Sequence, residues 1–417
     1  MKRMGAKLTR RECLTSMGAA LVAGAAMAGA RRGWGTPVFA AERYPDPGIT
    51  DTMVTIGTTQ PLTGPPAAGF GRPYQDGFNV YFEYLNEQKG GVNGRKIRLI
   101  LYDDGYQPPK TVQFTRQLVE GDKVFATLFQ LGTPTNQAIV GYLNDNHVPN
   151  FPATNAAMFG DPQQYPWTVI PTGPTNFNNA KIMGLHAAAT YRGQKAGILF
   201  QNDSLGTEYA SGFKAGFNND RLIASTQSYE TSDTTVDAQV INLQASGATV
   251  WFLAAIESFA VLAVRKAYDI GWHPETYVIQ QGTVSNAMTA MGPAATDKLV
   301  TYTTFKDPRD PTYERDPGIL AYEQIVAKYR PQLDATNLRL IEAMAMAKLF
   351  ADQLARVQTP TRRALIQAFR SVRNYDTGIY LPLFNSSGKT NFLANAAQLA
   401  RWNGTRFVPF GKVISAL

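Results

Sequence analysis

The sequence predicts an α/β protein of two lobes, each built as a doubly wound parallel sheet. From Met53 onward, short apolar runs rich in β-branched residues alternate with segments that have the apolar periodicity of helices. This alternation runs through two successive series, the second starting near Asn176, and strands that alternate with helices form parallel sheets. A chain of 417 residues is also long enough for two domains.

Four buried strands are predicted in the first series, and helices separate them. A short β-branched run such as VTIGTT suits a strand in the middle of a sheet. The helix after it has apolar residues spaced i, i+4, i+7, i+8 and i+11, which form one face: Tyr74, Phe78, Tyr81, Phe82 and Leu85. The strands are VTIGTT, IRLILY, KVFATLF and VPNFPAT, and later helices cover about 109–120 and 133–146.

The second series repeats the pattern with four more strands. They are AGILFQ, LIASTQSYE, TVWFLAA and YVIQQ. The helices of this series start near Asn176, carry Leu205, Phe213 and Phe217, cover about 236–245, and run through Ala267. The two series together predict the two lobes.

The glycine-rich segment GGVNGRKIRLILYDD, residues 90–104, is interpreted as a turn. Its glycines follow a helix and precede a strand, where a C-cap and a tight turn need positive φ angles. A phosphate-binding loop has the opposite order and ends in GKS or GKT, which this segment lacks. Asp103 and Asp104 are expected to cap the next turn or helix, since the sequence offers no further metal ligands nearby.

The net charge of +8 belongs almost entirely to the first forty residues. They hold seven basic residues and one glutamate, a net +6, which leaves +2 for the rest of the chain. A nearly neutral body lacks the basic patch that nucleic-acid binders use for phosphates. The sequence therefore predicts no nucleic-acid partner.

Residues 1–40 are predicted to be an export signal of the twin-arginine type. TRRECL, residues 9–14, precedes a weakly apolar stretch, and VFAA supplies small residues for cleavage after Ala40. The alternative is a membrane anchor, but the stretch from Leu14 to Ala30 is too short and too mildly apolar to span a bilayer. Export to the periplasm is therefore expected. Cys13, the only cysteine, would be lost on cleavage, so no disulfide or thiol nucleophile is expected.

No motif in the sequence predicts catalysis, a metal or a cofactor. GTVSNA lacks the second glycine of a nucleophile elbow, and GFGRPYQDG has Tyr74 where a dinucleotide loop needs its third glycine. His147, His186 and His273 lie in distant segments, which makes zinc ligation improbable. A pair of acid–base carboxylates that are distant in sequence stays open.

LGTPTNQA, residues 131–138, is the most informative segment for binding. Thr133 is expected to be an N-cap and Pro134 the first helical residue, so that a helix starts directly after a strand. Ligands of open α/β sheets bind at that edge, and the free N–H groups of Thr135 and Asn136 would favour a carboxylate. The alternative is a capped helix without a ligand. FPATNAA, residues 151–157, lies one β/α unit later at the same edge.

These segments together resemble the type I periplasmic solute-binding proteins of ABC importers, the leucine/isoleucine/valine-binding family. The resemblance covers the chain from about Val54 to Gly411. It is carried by QPLTGP followed by GGVNGRKIRL and YDD, with LVEGDKVFATLFQLGTPTNQAI, VPNFPATNAA, ILFQNDSLGTEYASGFKAGF, VDAQVINLQASGATVWFLAA and AVRKAYDIGW extending it.

The resemblance implies a type I fold whose two lobes are joined by a three-strand hinge. Lobe one would comprise residues 50–170 and 302–388, and lobe two residues 171–301 and 389–417. It also implies a binding protein with no enzymatic activity, which captures a small ligand by hinge closure and docks on an ABC permease. A monomer is expected. A sensor on the same fold and a secreted hydrolase are the competing interpretations.

The resemblance also assigns ligand-binding positions. Phe70 matches an aromatic over the ligand, Thr133 the hydroxyl that holds its carboxylate, and Ala153, Thr154 and Asn155 the loop around its head. In the second lobe, Leu205 stands where amino-acid binders often have a tyrosine, Ile256 and Glu257 match a cleft loop, and Gln281 stands at a position that is usually acidic.

The neutral Gln281 predicts a ligand without an ammonium group. We expect a carboxylate-bearing molecule with an apolar body, such as an aromatic or branched organic acid, rather than leucine, isoleucine or valine. Arg72 and Lys306 are further candidates for positive charge in the cleft. Glu257 or Asp203 could instead replace the missing carboxylate, which would restore binding of a hydrophobic amino acid.

Overall fold

The computed structural model describes residues 45–415, apart from the side chains of Ser285 and Asn286. The predicted export signal lies outside these residues. Within them, no helix is long and apolar enough to cross a membrane. They form one compact unit that contains two sheets.

The first sheet has four parallel strands in the order β2-β1-β3-β4. Its strands are β1 (Met53–Gln60), β2 (Lys96–Asp103), β3 (Thr127–Leu131) and β4 (Asn150–Ala153). The β3 and β4 strands are almost wholly buried, as strands covered on both faces must be. We call the part of the chain around this sheet the first lobe.

The second sheet has seven strands in the order β11-β10-β9-β8-β7-β5-β6. The five strands from β5 to β9 pair in parallel, whereas β10 pairs antiparallel with both β9 and β11. The strands are β5 (Ala196–Gln201), β6 (Ile223–Tyr229), β7 (Val250–Ala254), β8 (Glu275–Val278), β9 (Leu299–Thr303), β10 (Ala396–Trp402) and β11 (Phe407–Ser415). We call the part around this sheet the second lobe.

Helices cover the faces of both sheets. They are α1 (Arg72–Gln88), α2 (Pro108–Arg116), α3 (Thr133–Asp145), α4 (Asn176–Thr190), α5 (Ser204–Phe217), α6 (Asp237–Ala245), α7 (Glu257–Asp269), α8 (Ser285–Met291), α9 (Pro317–Tyr329), α10 (Leu338–Ala355) and α11 (Arg362–Arg370). The α10 helix packs against α1 and therefore belongs to the first lobe, although it follows β9 of the second. Fourteen of its residues are buried, which makes it the central helix of that lobe.

The chain passes between the lobes three times. It leaves the first sheet after β4, returns after β9 to α9–α11, and passes again to the second sheet before β10. Isolated β-bridges connect the passages to other parts of the chain. Ile170 in the first passage pairs with Phe392, and Phe305 in the second passage pairs with Tyr380. This arrangement agrees with the predicted two-lobe fold and its three-strand hinge.

The glycine-rich turn has the predicted form. Gly90, Gly91, Asn93 and Gly94 all have positive φ, and the Gly91 N–H donates to the Leu85 carbonyl at the end of α1. Asp103 accepts hydrogen bonds from the N–H groups of Leu62, Thr63 and Gly105. Asp104 accepts from the Tyr106 N–H and the Thr111 hydroxyl. Both carboxylates therefore order turns.

Three details of the sequence prediction are wrong. The strand in KVFATLF begins at Thr127 rather than near Lys123, although the Phe125 N–H and the Ala126 carbonyl before it already hydrogen-bond to β1. The strand in YVIQQ ends at Val278, and Gln280–Gly282 form a short 3₁₀ turn. The second sheet is mixed rather than fully parallel, because β10 and β11 form a hairpin, a connection open only to antiparallel strands.

Candidate functional site

The carboxyl ends of the strands from both sheets meet at a cavity of about 70 Å³, which we call the head cavity. Parallel strands that run the same way bring their following loops to one edge of each sheet, and the two edges face each other. All eight residues that the family resemblance assigned to the first rank line this cavity. They are Phe70, Thr133, Ala153, Thr154, Asn155, Leu205, Ile256 and Gln281.

Thr133 lies at the polar end of the head cavity. Its hydroxyl is 2.9 Å from the Thr154 hydroxyl and accepts from the Asn176 amide at 3.4 Å. It is not the N-cap, because α3 begins at Thr133 itself and the capping position is Gly132, with φ of 106°. A side chain at Gly132 would also collide with Tyr106. The hydroxyl is therefore directed to the cavity side of the helix rather than back to its own N–H groups.

The first turn of α3 supplies fewer free donors than predicted. The Asn136 N–H donates to the Gly132 carbonyl at 3.3 Å, and neither Thr135 nor Asn136 lines the cavity. Two side-chain amides supply polar groups instead. The Oδ1 atoms of Asn155 and Asn176 are buried and make no hydrogen bond to the described residues. Since amide oxygen and nitrogen are interchangeable by a flip, both amides could donate to or accept from a ligand.

A buried ion pair forms one wall of the head cavity. The Arg339 guanidinium donates to Glu342 Oε2 at 2.7 Å, and both residues are more than nine-tenths buried. The hydroxyl of Tyr74 donates to the same oxygen at 2.8 Å, and that of Tyr380 donates to Oε1 at 2.9 Å. The Glu342 carboxylate therefore has three donors. We call these four residues the Glu342 cluster.

The contacts within the Glu342 cluster keep Arg339 charged and both tyrosines protonated. Burial alone would lower the pKa of Arg339, but the Glu342 carboxylate raises it above its usual value, so the guanidinium stays charged. Burial and the nearby carboxylate raise the pKa of Tyr74 and Tyr380, so both remain hydroxyl donors. The guanidinium also lies over the rings of Phe70 at 4.6 Å and Phe305 at 5.4 Å.

Sequence reasoning missed the Glu342 cluster. Arg339 and Glu342 come from α10, more than 180 residues after the last strand end of the first lobe, so no strand-end pattern indicates them. A signal was nevertheless present. The two charged residues stand i, i+3 in the otherwise apolar segment LRLIEAMAMA, and charges in a buried helix must be paired.

Two second-rank candidates do not contribute positive charge to the head cavity. Arg72 is exposed and its Nε donates to the Leu62 carbonyl at 3.3 Å. Lys306 is 2.7 Å from the Asp316 carboxylate and does not line the cavity. Both proposals failed because proximity in sequence to Phe70 or to the β9 end does not fix where a long side chain extends.

The two proposed substitutes for an acidic residue at position 281 also lie elsewhere. Asp203 caps α5 by accepting from the N–H groups of Leu205 and Gly206, at 2.9 and 3.1 Å. Glu257 does not line the head cavity; its Oε2 lies against Gly69 of the other lobe. Burial raises the pKa of Glu257, and its Oε2 has no partner within the described residues. Gln281 itself accepts from the Tyr209 hydroxyl at 3.2 Å.

Hydrogen bonds join the lobes around the cavity. The Ala157 N–H of the first lobe donates to Glu208 Oε1 of the second at 3.0 Å, and the Asn176 N–H of the second donates to the Asn155 carbonyl of the first at 2.7 Å. These bonds bridge the cleft in this structure.

The described residues offer no metal site. Within residues 45–415 there is no group of three or more His, Cys, Asp or Glu side chains that could hold a metal ion. His186 hydrogen-bonds to the Tyr277 hydroxyl at 2.6 Å, and burial lowers the pKa of its ring. His147 and His273 are exposed and lie against Trp167 and Tyr268.

Comparison with known proteins places the chain among binding proteins. The family model described as periplasmic binding protein matches residues 53–406. Leu/Ile/Val-binding protein homolog 3 of Brucella melitensis is 26% identical over 235 residues, which are 56% of this chain and 61% of that protein. The match thus spans less than two thirds of that relative. Leu/Ile/Val-binding protein homolog 2 of Brucella abortus is 27% identical over 269 residues, 63% of this chain and 69% of that protein.

Solved structures share the fold at lower identity. A branched chain amino acid ABC transporter from Thermus thermophilus with bound valine has a TM-score of 0.78 at 17% identity, covering 88% of this chain and 97% of that one. A fatty acid ABC transporter substrate-binding protein from Thermomonospora curvata has a TM-score of 0.77 at 19% identity, covering 89% and 94%. At these identities the likeness establishes the fold only.

Replacing Glu342 with Gln should destabilise the protein by about 3 kcal/mol, because it leaves the Arg339 charge buried without its counter-charge. Denaturant unfolding would measure the change. Glu120→Gln is the matched control, since it breaks an exposed ion pair with Arg116 and should cost less than about 1 kcal/mol.

The double variant Arg339→Met/Glu342→Gln should recover part of the loss, because no buried charge is then left unpaired. A cost for Glu342→Gln no larger than that of Glu120→Gln would show that the Glu342 cluster does not anchor the cleft wall.

Proposed function

Because this chain belongs to the periplasmic binding protein family, we propose that it is the substrate-binding component of an ABC importer. It captures a small organic acid in the head cavity and presents the closed form to a permease. The names of its relatives, Leu/Ile/Val-binding proteins, support a solute-binding rather than an enzymatic role. They do not fix the ligand of this chain.

The proposed ligand class rests on the charges of the residues that line the head cavity. Glu342 is the single acidic residue among the described residues that line this cavity, and three donors already engage it. Gln281 is neutral. A ligand ammonium would therefore be buried without a free counter-charge, which costs several kcal/mol. This supports an acid without an ammonium group.

The cavity accommodates a ligand carboxylate better than a ligand ammonium. The Thr133 hydroxyl and the start of α3 offer a hydrogen bond and a positive dipole end to a carboxylate, whereas the unpartnered Oδ1 atoms of Asn155 and Asn176 accept hydrogen bonds and serve a carboxylate only after an amide flip. Phe70, Leu205 and Ile256 are buried and apolar, and they would enclose the body of the ligand. An aromatic or branched acid fits this combination.

A hydrophobic amino acid is the second candidate, because the relatives are named as Leu/Ile/Val-binding proteins. Its ammonium would have to draw Glu342 away from Arg339 or use the unpartnered Oε2 of Glu257. Both require the cavity to rearrange. The first candidate needs no rearrangement.

Binding would proceed by closure of the two lobes. We propose lobe one as residues 50–170 and 302–388 and lobe two as 171–301 and 389–417, which move about the three passages between the sheets. The bond from the Ala157 N–H to Glu208 of the other lobe would form on closure. A ligand that contacts both lobes favours the closed form by its differential affinity for it.

The family implies a periplasmic location. We propose that residues 1–40 direct export by the twin-arginine route and that the mature protein, a monomer, begins near Ala41. The pairs of arginines and small residues in TRRECL and VFAA support this route.

Purified protein should bind deaminated acids better than the corresponding amino acids. We expect 4-methylpentanoate and 3-phenylpropionate to bind at least about a hundredfold more tightly than leucine and phenylalanine, since the ammonium lacks a counter-charge. Isothermal titration of the four compounds measures this. Tight binding of an amino acid with its deaminated analogue inert would contradict the proposed ligand class.

Thr133→Ala should weaken binding of the tightest of these acids by about 1.5–3 kcal/mol, the value of a hydrogen bond to a charged group. Thr135→Ala is the matched control. It removes a hydroxyl in the same helical turn. That hydroxyl donates to the Leu131 carbonyl, and Thr135 does not line the cavity. Equal affinities in the two variants would remove Thr133 from the ligand site.

A further inference from the structure

A second, larger cavity adjoins the head cavity. It has a volume of about 450 Å³, against about 70 Å³ for the head cavity, and we call it the chamber. Gln280, Phe305 and Arg339 line both cavities, so the two meet at these side chains. The chamber lies between the lobes, bounded by α8, the start of α10 and the turn between β10 and β11.

The size of the chamber is that of a ligand site. Pockets that hold small molecules have volumes of about 300–1,000 Å³. The chamber falls in this range, whereas the head cavity, at about 70 Å³, lies well below it. A ligand confined to the head cavity would leave the larger space empty.

The chamber can accept an uncharged group. Its apolar lining includes Val284, Met288, Phe305, Leu338 and Trp402, with threonine hydroxyls between them. Its guanidinium groups each lie near a carboxylate. Arg406 is 3.3 Å from Asp310, Arg309 is 3.4 Å from Asp334, and Arg339 is 2.7 Å from Glu342.

This pairing argues against a second charged group on the ligand. A carboxylate in the chamber would compete with Asp310 or Glu342 for a guanidinium that already has a partner. An ammonium would have to share the lining carboxylates Asp307 and Asp310 with the groups that already bond them. An apolar chain meets neither penalty and gains from leaving water.

We infer that the head cavity and the chamber form one ligand site, and that the ligand is an elongated monocarboxylic acid. Its carboxylate lies near Thr133 and its uncharged tail crosses the wall formed by Phe305 and Arg339 into the chamber. The guanidinium already lies over two aromatic rings there, so its flat face is covered and its charge is compensated. This inference rests on the proposed function, in which the head cavity takes the carboxylate.

A homologous series of straight-chain acids from butanoate to decanoate tests the inference. Each methylene that enters the chamber should raise the affinity by about fourfold, the value of burying one CH₂ group. Isothermal titration across the series gives the slope. An affinity that does not rise beyond the shortest members would overturn the inference and show the chamber to be solvent space only.

Two variants locate the tail. Leu338→Trp places a larger side chain on the chamber lining and should flatten the slope for the longer acids while leaving butanoate binding unchanged. Leu185→Trp is the matched control, because Leu185 is also a helical leucine but is 52% exposed and lines neither cavity. Thr405→Trp, in the exposed turn after β10, fills the chamber from another side and should act like Leu338→Trp.

The outcomes separate this inference from the proposed function. If leucine binds and no acid does, the proposed ligand class fails. If short acids bind and the slope with length is flat, only the chamber inference fails. If affinity still rises with the chain length of the acid in both Leu338→Trp and Thr405→Trp, the tail does not lie in the chamber.

Discussion

The cleft wall depends on the buried Glu342 carboxylate and its three donors. Charge taken out of water must be compensated, and Arg339, Tyr74 and Tyr380 do so from α10, from α1 and from the chain that precedes the last passage between the lobes. These bonds fix the position of Arg339, which in turn lies against Phe70 and Phe305. One ion pair thus positions aromatic walls of both cavities.

The same compensation underlies the ligand class proposed for the cleft. With Glu342 engaged and Gln281 neutral, the head cavity presents hydroxyls, amides and a helix start but no free acid. The chamber provides volume beyond the carboxylate and pairs each guanidinium of its lining with a carboxylate.

The sequence predicted the head cavity well because strand-end loops are local features. In a doubly wound sheet the loops after the strands lie at one edge, which brings the segments at 133 and 153–155 together, whereas Phe70, Leu205, Ile256 and Gln281 were assigned by the family resemblance. Arg339, Glu342 and Tyr380 arise from the long connection after β9, and only tertiary packing brings them to that edge. Arg72 and Lys306 were predicted from proximity in sequence, and their side chains make other contacts.

Boundaries and pairing direction were harder to predict than the existence of elements. Thr133 has the chemistry of an N-cap, yet Gly132 takes that position with a positive φ, which frees the threonine hydroxyl for Thr154. The β10 and β11 strands were not predicted from the sequence, and their short connection allows only antiparallel pairing.

Introducing the missing carboxylate with Gln281→Glu tests most directly whether charge compensation in the head cavity sets its preference. We predict that this variant gains affinity for leucine and loses affinity for 4-methylpentanoate, each measured by isothermal titration. Gln280→Glu, which adds the same charge where the two cavities meet, should weaken the acid without a gain for leucine. If Gln281→Glu leaves the preference between the two compounds unchanged, the charge at this wall does not select the ligand.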